Sequence, residues 1–266
     1  MVGQEKIIEQ IDKLTLDTFP HSLMLVGDLG SGKHTICDYI INKFNLPKFD
    51  ITDKISQETI EEIYTKIEPI FYIIDISNIS VKDENVILKF VEEPLKNAFI
   101  IFLCTNKNLV IPTILNRCQV WELARYSIDT LKQLVDIDNE LLYNIFDTPG
   151  KLLIAKEHIS DIDDMFDMSK KIVQYVGKAN FSNTLTISDK ICFKDEKGKW
   201  DLDLFLSVLH YVISQSVINN KDNVNYFSLY ISTNELIKDI TTIPHINKRQ
   251  RFESYLYDAR QRLAND

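Results

Sequence analysis

Apolar positions change their spacing about halfway along this chain. In the first half, Ile7, Ile8, Ile11 and Leu14 recur at three- and four-residue steps, which predicts a helix from about Glu5 to Asp17. The run Leu23-Met24-Leu25-Val26 then reads as a strand, followed by a glycine-rich turn and a helix over Lys33 to Phe44. A short strand over Phe49 to Thr52, a helix over Gln57 to Ile67 and the strand Ile70 to Asp75 come next. A helix over Glu84 to Glu93, the strand Ala98 to Cys104 and a strand over Gln119 to Leu123 complete the set. Strands alternating with helices predict an α/β fold, with a five-stranded parallel sheet covered by helices.

From Tyr126 onward the strand pattern stops. Ile128, Leu131 and Leu134, then Leu141, Leu142 and Ile145, repeat at helical steps. Thr148-Pro149-Gly150 breaks the pattern, and a helix resumes over Lys151 to Glu157, so a small helical module falls at 125–159. Longer amphipathic helices are predicted over Met165 to Val176, Asp201 to Ile218, Tyr226 to Asp239 and Lys248 to Leu263, with a polar loop from Lys194 to Lys199. The second half is read as all-helical, and its Phe252, Tyr255, Leu256, Ala259, Leu263 stripe as packing surface, either internal or against neighbouring subunits.

The 266 residues, 45% of them hydrophobic, suffice for a core divided into two or three parts. No apolar run reaches about 18 residues, and MVGQEKIIEQ has neither the basic nor the apolar region of a signal peptide, so the expected location is cytoplasmic. Cys37, Cys104, Cys118 and Cys192 are scattered singletons, read as reduced thiols. A formal charge of −9 argues against a globally basic nucleic-acid binder. The one basic stretch, Lys248-Arg249-Gln250-Arg251 with Arg260 and Arg262, reads as a solvated helix face.

Chemistry concentrates at Gly27-Asp28-Leu29-Gly30-Ser31-Gly32-Lys33, a G-x-x-x-x-G-K loop with three of the chain's seven glycines. Glycines let successive amides turn inward around phosphate oxygens, the following helix offers its positive end, and Lys33 reaches the outer phosphates. The next position ordinarily carries a hydroxyl that ligates magnesium, but here it is His34, a poor ligand for a hard cation. Thr35 lies about 100° further round the helix. Asp75, ending an apolar strand, stands where magnesium's water shell is held. The following position, where hydrolases of this type place an acid that activates water, is Ile76, which accepts no proton. His21, His158, His210 and His245 are isolated and read as surface or packing residues, and Glu92-Glu93 as structural.

Three further segments carry a family resemblance. Asn85-Val86-Ile87-Leu88-Lys89-Phe90-Val91-Glu92-Glu93-Pro94, the strand ending in Thr105-Asn106, and Ile111-Pro112-Thr113-Ile114-Leu115-Asn116-Arg117-Cys118-Gln119 resemble the motifs of AAA+ clamp-loader subunits, most nearly the delta-prime type of bacterial DNA polymerase III. The resemblance covers about residues 1–124 and implies an AAA+ P-loop core there, a helical lid at 125–159 and a helical oligomerisation collar at 160–266. It places Asn106 at the sensor that reads a terminal phosphate, and Arg117 at the arginine finger that reaches a neighbour's ATP site. It also implies nucleotide contacts at Gly27, Gly30, Ser31, Gly32, Lys33, His34, Thr35 and Asp75, with ATP or ADP and magnesium held weakly or not at all. The family's zinc module is missing, so no zinc is expected, and the lid arginine position corresponds to Gly150.

The function so implied is a non-hydrolysing clamp-loader subunit. Its partners would be gamma/tau-like motor subunits, a delta-like subunit, a sliding clamp and, through the complex, primed DNA, with no membrane. An active P-loop clamp-loader ATPase, with Thr35 or ordered water compensating for His34, and a stand-alone nucleotide-regulated AAA+ adaptor remain the alternatives.

Overall fold

A computed structural model describes residues 2–51, 68–76, 81–93, 97–175, 186–192, 200–221, 223–243 and 246–264. The helix predicted over Gln57 to Ile67, the loop Lys194 to Lys199, and Thr52, Ser77, Pro94, Val176 and His245 lie outside the described residues. The chain forms two compact units, residues 1–134 with 148–150, and residues 135–147 with 151–266.

The first unit is built on β1 (Ser22–Val26), β2 (Lys48–Ile51), β3 (Ile70–Asp75), β4 (Ala98–Cys104) and β5 (Gln119–Glu122). They pair in parallel in the order β2-β3-β4-β1-β5, the five-stranded parallel sheet that the sequence pattern predicts. Strand side chains alternate between faces, and both faces of the central strands β1, β3 and β4 are covered, so these three read as nearly continuous apolar runs. One layer takes Met24, Tyr72, Ile74, Ile100 and Phe102, packed with Ile87 and Phe90 of α3 (Val81–Glu92). The other takes Leu23, Leu25, Phe71, Ile73, Ile101 and Leu103. It packs against Ile7 and Ile11 of α1 (Glu5–Lys13) and Ile36, Cys37 and Ile40 of α2 (Lys33–Phe44). Every residue of β4 is buried, as a central strand requires. The first helix is shorter than its apolar spacing predicts: Leu14 is extended, and a 3-10 turn over Leu16–Thr18 is held by a Thr15–Thr18 capping box. Short helices α4 (Pro112–Leu115) and α5 (Ile128–Leu134) flank β5.

Among the described residues the second unit is helical apart from β6 (Ile191–Cys192) and β7 (Trp200–Asp201), a pair of two-residue parallel strands that the all-helical reading of this half did not include. It holds α6 (Leu142–Ile145), most of α7 (Pro149–Glu157), α8 (Ile159–Tyr175), α9 (Leu202–Asn219), α10 (Val224–Thr242) and α11 (Lys248–Ala264). The predicted break at Pro149-Gly150 is instead the first turn of α7. Proline has no N–H to lose at a helix start, and its fixed φ suits that position. At the centre lies α9, packed against α8 and α10, with Leu204, Phe205, Val208, Leu209 and Ile213 all buried. It is long and apolar enough to cross a membrane, yet these side chains are spent on the unit's own core. Asp201 caps it, accepting from the Leu204 amide at 3.0 Å.

The C-terminal stripe is likewise spent internally. Phe252, Tyr255, Leu256 and Ala259 are buried, Phe252 lies edge-on to Phe205 at 5.9 Å, and the Tyr255 and Thr233 hydroxyls are 2.8 Å apart. This removes them as a surface for a neighbouring subunit. The basic stretch is paired as well: Arg249 bonds Asp189 and Glu253, and Arg251 bonds Asp239.

Candidate functional site

Val26 ends β1, and the chain turns through residues 27–32 into α2. Gly30 at φ 74° and Gly32 at φ 94° take left-handed backbone that a β-carbon would strain. Gly32 is the N-cap of α2, so the unpaired amides of the helix start and its positive dipole end lie at the loop. Gly27 closes on Ser31 and Leu123: a β-carbon there would stand 2.7 Å from Ser31 Oγ, a buried hydroxyl with no hydrogen-bond partner among the described residues. This is the geometry that the G-x-x-x-x-G-K pattern predicts.

Lys33, 8% exposed, folds its ammonium back onto the loop and donates to Gly27 O at 2.5 Å and Asp28 O at 3.0 Å. Burial lowers its pKa from the ordinary lysine value, while nearby Asp75 pulls in the opposite direction. Asp75 sits at the C-terminal end of β3, and strand alternation puts it with Phe71 and Ile73 on the α2 side of the sheet. His34 and Thr35 are exposed in the first turn of α2.

Ile76 departs from any hydrolytic arrangement. It is 5% exposed, its amide bonds Leu103 O at 3.0 Å, and its side chain belongs to the apolar layer of Tyr72, Ile74, Ile87 and Phe90. No carboxylate therefore enters beside Asp75 from this position. Thr105 and Asn106 follow β4, and the Asn106 side chain accepts from the Asn108 amide at 3.0 Å, capping the 3-10 turn Lys107–Leu109.

Arg117 lies between α4 and β5, at the opposite end of the sheet from the loop. Gln119, the first residue of β5, is level with Leu23, four positions before Gly27, and about 3.3 Å per residue puts roughly 13 Å between those levels. The guanidinium is exposed. It donates through Nη1 to Thr113 O at 2.9 Å and pairs through Nη2 with Glu92 Oε1 at 2.9 Å. Glu92 therefore has a defined partner that the sequence pattern did not suggest, because the two residues are 25 positions apart.

Several residues around the loop were also illegible in the sequence. The Tyr126 hydroxyl donates to Ser31 O at 2.8 Å, Thr148 Oγ1 to Leu29 O at 2.8 Å, and the Gly150 amide to Gly30 O at 2.9 Å. Gln4 bonds both the amide and the carbonyl of Ala124, at 2.9 and 2.8 Å, and so fixes the segment that carries Tyr126. Only Gly150 gave a signal, as the position where the family resemblance expects an arginine. Its structural reason is contact: a β-carbon on Gly150 would lie 2.5 Å from Gly30 Cα.

His21, His158 and His210 behave as packing and surface residues. His21 stacks on Phe99 at 5.9 Å, His210 lies 3.1 Å from Asn234, and exposed His158 sits 3.7 Å from Asp161. Burial drives the thiol pKa values of Cys37 and Cys118 up to about 12 and that of Cys104 up to about 11.

No curated protein sequence matches the chain. Among solved structures, the Thermotoga maritima RuvB Holliday junction branch migration motor is similar at 19% identity and a TM-score of 0.47, covering 64% of each chain. A DNA polymerase III gamma subunit-related protein from Thermotoga maritima is similar at 14% identity and a TM-score of 0.45, covering 98% of this chain and 99% of that one. This chain thus spans less than two thirds of the branch migration motor. Residues 48–127, which hold Asp75, Asn106 and Arg117 but not the glycine loop, match the family described as DNA polymerase III, delta subunit.

Proposed function

We propose that this protein is a delta-prime-like clamp-loader subunit that does not turn over ATP and that lends Arg117 to the nucleotide site of an adjacent motor subunit. The observation that carries the reading is Ile76, buried in the sheet's apolar layer where a hydrolase needs an acid. Arg117 supports the second half. It is exposed and remote from the chain's own loop, so a phosphate that it meets belongs to another subunit. A guanidinium delivered this way stabilises charge developing on a transferring phosphoryl group.

In this reading residues 1–124 are the core, 125–159 the lid and 160–266 the collar. The partners are gamma/tau-like motor subunits, a delta-like subunit and the sliding clamp, with primed DNA engaged through the complex. ATP or ADP with magnesium binds weakly or not at all, and no zinc is held.

Two measurements test it. The isolated chain is expected to show no steady ATP turnover; turnover abolished by Lys33→Ala would instead establish an active ATPase, the reading that Asp75 beside Lys33 favours. Mixed with cognate motor and delta-like subunits, the chain is expected to enter a stable ring, and failure to join would favour a stand-alone adaptor.

A further inference from the structure

Five consecutive carbonyls in the glycine loop each have a donor from within the chain. Lys33 Nζ serves Gly27 and Asp28, Thr148 Oγ1 serves Leu29, the Gly150 amide serves Gly30 and the Tyr126 hydroxyl serves Ser31. Carbonyls on the outside of a surface loop are ordinarily left to water. Here Thr148 is 3% exposed and Ser31 is 4% exposed, so the contact is buried at these two residues. It is also too close for any side chain at position 150, since a β-carbon would stand 2.5 Å from Gly30 Cα and 3.0 Å from Gly30 O. Tyr126 is itself braced, by Gln4 on Ala124 and by Gly3, where a β-carbon would lie 2.7 Å from the Tyr126 ring.

We propose that Thr148-Pro149-Gly150 is a strap that holds the loop in its phosphate-cradling shape, so that the loop serves as a seat for the chain's own backbone and needs no nucleotide to order it. The glycines at 30 and 150 make the seat possible, Thr148 fastens one side, and Tyr126 closes the other. Lys33 completes the lock, because its ammonium must leave two carbonyls before it can meet an anion. The strap acts within the isolated chain, whether or not the chain joins a ring.

Residue-resolved amide hydrogen exchange on the isolated chain tests it, with Thr148→Val and Gly150→Ala. Thr148→Val keeps the shape of the side chain and removes one donor, so it decides the matter even where Gly150→Ala fails to fold. Each folded variant is expected to speed exchange at the Ser31 amide and at the amide of position 150 by about tenfold, with β4 amides at their original rates. A Ser31 amide exchanging at the wild-type rate in Thr148→Val would overturn the strap, and so would an equal acceleration throughout Ala98–Cys104, which marks general loosening.

Discussion

At position 76 a carboxylate would have to sit in a largely apolar layer with Tyr72, Ile74, Ile87 and Phe90, which compensates poorly for lost hydration. Ile76→Glu is therefore expected to lower unfolding stability by about 3 kcal/mol or more in urea titration without conferring ATP turnover. A variant that folds normally and hydrolyses ATP would refute the account of this position. Arg117 carries the opposite expectation, because it is exposed and its ion pair with Glu92 is worth little to the fold. In the reconstituted complex, Arg117→Ala should leave assembly intact and reduce DNA-stimulated ATPase by about tenfold or more. Unchanged activity would remove this arginine from the mechanism.

Helices and strands show why much of the molecule was legible beforehand. The strands Ile70–Asp75 and Ala98–Cys104 and the helix Lys33–Phe44 fall where apolar spacing and the glycine loop place them, because burial on both sheet faces leaves no ambiguity of period. The turn of the glycine loop was legible because backbone geometry demands glycine there, whereas Arg117 was singled out by the family resemblance alone. The supports were not: Tyr126, Thr148, Gln4 and Glu92 act through long-range contacts, and a single polar residue carries no trace in sequence of the carbonyl it will meet. The C-terminal stripe shows the limit differently, since helical periodicity identifies a packing face but not what covers it. With Phe252 fully buried against Phe205, Phe252→Ala should cost about 3–5 kcal/mol in chemical denaturation of the isolated chain. A loss below about 1 kcal/mol would mean that the stripe is not part of this unit's core. Asp201→Ala removes the cap of the central helix and should cost about 1 kcal/mol by the same assay.

For the whole molecule, the folded state should lose stability at both ends of the pH scale, for separate reasons. Burial lowers the pKa of His210 below 6.5, so the unfolded chain takes up that proton first and stability falls as pH drops through and below this value. His210→Gln should flatten that limb of a melting-temperature profile, and an unchanged limb would exclude the histidine as its cause. At the alkaline end, thiols with pKa values raised from 9.0 to about 11 and 12 keep their full contribution below pH 9.0 and lose it as pH rises through the raised values. The net charge of −9 and the paired arginines of α11 predict negligible binding of primed duplex by the isolated chain in fluorescence anisotropy at physiological salt. Affinity in the micromolar range would overturn that. The meeting of Gly30 and Gly150 also constrains how the chain can vary by descent. Gly150 cannot acquire a side chain while Gly30 stays in place, so the residue allowed at 150 depends on a loop position 120 residues earlier in the sequence. A side chain at 150, an arginine included, therefore requires a displaced loop.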